Sequence, residues 1–115
     1  MHRTDPAEVA AATLYFPPQV KRIQEPRFCF DPAERERALQ TYRELGADTL
    51  FELVVDQEGK VVKARVLRTD ERRSYREDML DHARRFRFTP DREVPGYRAF
   101  YYPARYGFDN EFEWL

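Results

Sequence analysis

Apolar residues recur along the chain with two different periods. Leu50-Phe51-Glu52-Leu53-Val54-Val55 alternates so that Phe51, Leu53 and Val55 share one face of a strand. Asp56-Gln57-Glu58-Gly59 follows as a turn, with Gly59 supplying the positive φ that short hairpin loops need. Lys60 to Thr69 is the return strand, where Val62, Ala64 and Val66 alternate with Lys63, Arg65 and Leu67. One wet and one dry face predict an antiparallel sheet covered on one side. Two stretches have helical spacing instead. Ala38, Leu39, Tyr42 and Leu45 follow Asp31-Pro32-Ala33-Glu34, an N-cap with proline in the first turn, and Gly46 ends the run. Ser74-Tyr75-Arg76-Glu77 reads as a capping box, and Tyr75, Met79, Ala83 and Phe86 fall on one face behind it. Phe86-Arg87-Phe88-Thr89-Pro90 ends this helix, and a long aromatic strand runs from Tyr97 to Phe108. Pro103 within it predicts an edge or a bulge.

Residues 1–30 keep no steady period and read as an arm, partly extended. Asp5-Pro6 starts a short helix through Ala12, Phe16-Pro17-Pro18 enforces an extended path, and Phe28 to Phe30 pairs as a short edge strand. Residues 109–115 form an acidic, aromatic tail, loose or docked through Trp114. The expected fold is α+β. A hairpin and a C-terminal strand make a small antiparallel sheet, one main helix packs on it, and an extra helix precedes it. The predicted core is Phe51, Leu53, Val55, Val62, Ala64, Val66, Met79, Ala83, Phe86 and Phe88.

Composition narrows the function. With 20 basic and 21 acidic residues among 115, the net charge of −1 excludes a basic nucleic-acid footprint over the whole chain. Charged residues make up 36%, yet 15% aromatics are too many for a disordered chain. One cysteine, Cys29, excludes an internal disulfide and a cysteine-built zinc site, and its Phe28-Cys29-Phe30 setting reads as a small buried hydrophobe. No stretch approaches the ~20 apolar residues of a membrane span, and the N-terminus has no apolar signal-peptide core. His2 and His82 are the only histidines, with His82 off the apolar stripe of its helix. No nucleophile–base pair, metal-ligand set or phosphate-cradling glycine motif emerges, so neither catalysis nor a cofactor or metal is expected. Residues 60–92 hold eleven basic and six acidic residues. With the aromatics of the final strand, they suggest single-stranded nucleic-acid binding as an alternative function.

Several of these residues together carry a resemblance. The strand Phe51-Glu52-Leu53-Val54-Val55-Asp56, the turn Gly59-Lys60-Val61, the strand end Val66-Leu67-Arg68-Thr69, the helix end Ala83-Arg84-Arg85-Phe86-Arg87-Phe88-Thr89-Pro90, and Gly96 leading into Tyr97–Phe108 follow one another in order. This pattern resembles the C-terminal domain of TonB-type energy transducers. The likeness is strongest over residues 46–108, within a domain of residues 31–108. Phe86 stands where the family usually carries Trp, and Phe30-Asp31-Pro32 is a loose counterpart of its Tyr-Pro element. Full transducers add a membrane anchor and a proline-rich spacer. The chain is therefore expected to be an excised domain, a stand-alone relative, or an adaptor keeping only the fold.

The resemblance implies a non-enzymatic protein-interaction domain that takes up a partner peptide by strand addition, in energy transduction for outer-membrane transport. It places the partner, an outer-membrane receptor segment, along the final strand. Arg98, Phe100 and Tyr102 would select it from one face. Closure of that edge by the chain's own N-terminal segment, or by a second copy in a homodimer, is the competing expectation. A periplasmic location follows from the resemblance if a targeting segment is missing; otherwise the chain is expected in the cytoplasm.

Overall fold

The computed structural model describes residues 20–47, 49–69, 76–106 and 112–114. Its elements are β1 (Lys21–Ile23), α1 (Pro32–Leu45), β2 (Thr49–Val55), β3 (Val61–Thr69), α2 (Arg76–Arg84), β4 (Tyr97–Tyr106) and β5 (Phe112–Trp114). The α+β class is as expected, but the sheet has five strands rather than about three. Its path is β1-β4-β2-β3, all antiparallel, and β5 also pairs with β4. The expected helix after Asp5 and the Ser74 capping box lie outside the described residues.

Helix α1 starts where its sequence says. The Asp31 side chain accepts from the Glu34 N–H at 2.8 Å, and the Glu34 carboxylate accepts from the Asp31 N–H at 3.2 Å. The Glu34 N–H bond to it holds the Asp31 carboxyl below its ordinary range. Gly46 closes the helix at φ 68°, left-handed backbone that suits a residue without Cβ.

Strand β2 is the centre of the molecule. All seven of its residues are buried, so the sheet is covered on both faces and not on one. Phe51, Leu53 and Val55 join Met79, Ala83, Phe86, Phe88, Phe100 and Tyr102 beneath α2. Leu50 joins Ala38, Tyr42, Ala47 and Tyr101 beneath α1, with Phe30, Leu39 and Leu67 at the margin. The extra helix is therefore the second layer of the sandwich.

One predicted core residue is displaced. A register shift between Val54 and Val55 sets Val55 opposite Val61, not Val62. The bulge adds a residue to β3 and turns its alternation over locally. Val61 is buried and Val62 is 40% exposed as a result. Ala64 and Val66 pack against the core as partly buried residues.

The hairpin turn and the loop after α2 are fastened together. Asp56 Oδ1 accepts from the N–H groups of Glu58 and Lys60, closing the turn. Phe88 N–H donates to Gly59 O at 2.8 Å, and Asp91 N–H to Gln57 O at 2.8 Å. Gln57 Nε2 reaches Val94 O at 3.0 Å, and Arg92 pairs with Glu58. Two sequence motifs read separately, the turn glycine and the Phe-x-Pro element, thus form a single junction.

The segment Phe28–Phe30 is not a strand; pairing falls to Lys21–Ile23 instead. Pro26 and Pro32 flank the aromatic segment and lack donors. Its rings serve to cover the sheet. Phe30 lies 4.5 Å from the Tyr101 ring, and the Arg65 guanidinium sits 4.2 Å from the Phe28 ring.

Candidate functional site

The final strand is not a free edge. β2 runs along one side of β4 from Arg98 to Ala104, so β1 and β5 share its other side. β1 covers residues 97–99 and β5 covers 104–106. Only residues 100–103 lack an outer partner among the described residues. Residues 112–114 of the aromatic tail pair as β5. The expected closure by the N-terminal segment is present over residues 97–99, and the C-terminal β5 adds 104–106.

The three residues expected to select a partner are inside the protein. Arg98, Phe100 and Tyr102 do share one parity, but that parity faces α2. Phe100 and Tyr102 belong to the main core, with the Phe88 ring 5.0 Å from Phe100 and 5.6 Å from Tyr102. Arg98 is 5% exposed and donates to Thr89 O at 2.8 Å and Asp56 O at 3.0 Å. Its guanidinium ties the hairpin turn to the loop after α2, and burial pulls its pKa down. A side chain long and charged enough to look like a surface reader is here a strut.

The aromatic strand does not offer a stacking surface either. Phe100, Tyr101 and Tyr102 are all buried. The nucleic-acid alternative thereby loses the sheet platform on which bases would lie.

On the α1 face, three polar side chains line up across the sheet. Glu52 pairs in register with Arg65 on β3 and Tyr101 on β4. Glu52 is fully buried, and Arg65 grips its Oε1 with two donors at 3.1 and 2.7 Å. Glu52 Oε2 has no hydrogen-bond partner among the described residues. Burial, with the Glu52 carboxylate second, raises the Tyr101 hydroxyl pKa. Nearby, Cys29 is half-buried, and burial pushes its thiol pKa up, away from the reactive thiolate. This row orders the layer between α1 and the sheet. Replacing Arg65 with Met is expected to cost about 2 kcal/mol, because it strands the buried carboxylate. The cost stays below that of a fully buried pair, since Arg65 is 38% exposed. Urea unfolding of Arg65→Met beside Lys63→Met, which removes a cation that shares the Phe28 ring but has no ion pair among the described residues, checks it.

Among the described residues no group of three or more His, Cys, Asp or Glu side chains converges as a metal site. No described helix is long and apolar enough to cross a membrane. His82 sits at the rim of the core, its ring 5.5 Å from Phe86.

What remains is the far side of the sheet. β3 ends the strand order, so beyond the bridge of Lys60 to Arg87 at its start, its outer edge pairs with no strand among the described residues. Sequence reasoning passed over this edge because the proline drew attention to β4. A signal was present nonetheless: Lys60 to Thr69 holds four basic residues and no acidic one. No family model matches the chain, and neither does any curated protein or any solved structure.

Proposed function

We propose that the chain is a protein-interaction domain, similar to the C-terminal domain of TonB-type energy transducers, that binds a partner segment by strand addition at β3. The observation that carries the reading is the outer edge of Val61–Thr69, which pairs with no strand among the described residues beyond the Lys60–Arg87 bridge at its start. An edge strand presents unsatisfied N–H and C=O groups, and an extended peptide satisfies them while adding a strand. The order of elements supports the family reading: hairpin, helix, then a last strand paired to the hairpin's first. So does the junction of Gly59 with Phe88, two residues on which the resemblance rests. Strand addition along β4, the site the resemblance implies, would have to displace β1 and β5. Among the described residues no strand would have to leave β3. In this reading the partner is an outer-membrane receptor segment and the role is energy transduction for transport.

Backbone amide shifts on adding receptor-derived extended peptides test the site. The expected perturbations concentrate in residues 61–69. Shifts confined to 97–106, with loss of the β1 pairing, would move the site to β4. Shifts confined to α2 would end the strand-addition reading.

A further inference from the structure

We propose that the β3 edge selects an acidic strand, one with carboxylates at alternate positions and apolar residues between them. This rests on the strand-addition reading and adds the chemistry of the partner. Lys63 and Arg65 share the α1 face of β3, two residues apart and therefore about 7 Å. A second register shift, between Leu50 and Phe51, adds Leu67 and sets Arg68 opposite Leu50, which faces α1. The bulge thus makes Arg68 the next cation in the same line. Lys63 and Arg65 are successive on this face, and Arg68 follows beyond Leu67, which packs toward α1.

Two of these cations await a counter-charge. Lys63 and Arg68 are exposed and form no ion pair among the described residues, although the Lys63 ammonium lies 5.3 Å over the Phe28 ring. Arg65 is already bound to Glu52 and fixes the middle of the line. The opposite face of β3 differs in kind. Ala64 and Val66 lie against the core, and Val62 is exposed beside them. An incoming strand therefore meets positive charge on one parity and apolar surface on the other.

The chain already carries one strand of this type. Glu111-Phe112-Glu113-Trp114 alternates acidic and aromatic residues, and its β5 portion pairs with β4 so that Glu113 stands opposite Arg105. The sheet thus completes one edge with a strand whose acidic residue, Glu113, stands opposite a basic register position. The other edge repeats the basic half of that arrangement without the acidic half.

The test uses the full chain and a short acetylated peptide of alternating Glu and Val. Three comparison peptides replace Glu with Gln, replace Glu with Lys, or carry N-methyl groups on alternate amides. The Glu peptide is expected to shift amides in 61–69 and to bind about tenfold tighter than the Gln peptide at low salt. N-methylation should abolish the shifts, and the double variant Lys63→Glu/Arg68→Glu should prefer the Lys peptide. Both substituted residues are exposed, so an unchanged melting temperature is expected to accompany the switch. Equal affinity of Glu and Gln peptides overturns the acidic selection while leaving strand addition at β3 standing. Binding of the Glu peptide that survives N-methylation overturns the proposal as well, because it marks charge attraction without a strand. Absence of shifts in 61–69 with every peptide overturns strand addition at β3, and this proposal with it.

Discussion

Phe86→Ala is expected to lower the unfolding free energy by about 3–5 kcal/mol, the range for a large buried aromatic cut back to a methyl. Phe86 is fully buried and sits at the meeting of helix, hairpin and last strand. Its ring centroid lies 6.1 Å from Phe51, 5.7 Å from Tyr102 and 6.4 Å from Phe88. The pairs with Phe51 and Phe88 are edge-to-face, the arrangement that ring quadrupoles favour. Alanine leaves a void lined by three aromatics that cannot collapse together without moving strands. A domain of this size has roughly 5–15 kcal/mol in total, so the variant should be partly unfolded near 37 °C. Urea denaturation followed by tryptophan or far-ultraviolet signal measures it. Phe86→Leu, which keeps most of the volume, should lose less than half as much. Equal losses from Ala and Leu would show that the ring's shape, not its volume, holds the junction.

Gly59→Ala is the second large effect, about 3 kcal/mol, although it only adds a methyl group. Gly59 has φ +84°, and a Cβ there would lie 1.9 Å from Phe88 O. A left-handed residue with a side chain costs roughly 1–2 kcal/mol. The overlap with Phe88 backbone forces the turn away from the loop, which breaks the Phe88 N–H to Gly59 O bond and removes about 1 kcal/mol more. Gly46→Ala is the matched control. Gly46 has φ 68° but is exposed at the end of α1, so its loss should be about 1 kcal/mol, from backbone strain alone. The difference between the two variants reads the junction directly.

Much of this architecture can be read from residues. The α1 cap at Asp31, the turn at Gly59, the face of Phe51, Leu53 and Val55, and the burial of Phe86 and Phe88 follow from local pattern, and each stands in the structure. The failures share a physical cause: each depended on contacts distant in sequence. Leu50 to Val55 is nearly continuous in apolar residues, the mark of a strand buried on both sides. Glu52 masked that signal, because its counter-charge lies on another strand. Val62 looked like core because a bulge cannot be seen in alternation. Pro103 suggested an edge, and β4 does lack an outer partner there among the described residues, yet β1 and β5 cover the strand on either side. The candidate site was least legible, since an open edge is a property of strand order and not of any one strand's sequence.

The position of Glu52 has a meaning for the chain before it folds. β2 is made early and its two neighbours later, with β4 the last of them to leave the ribosome. Until then Leu50 to Val55 is a short, apolar, β-prone segment with no proline, the kind that joins like segments of other chains into cross-β aggregates. A carboxylate in its middle repels such stacking, because identical strands would place Glu52 upon Glu52. The same charge that needs Arg65 in the folded sheet acts in the nascent chain as a gatekeeper against self-association.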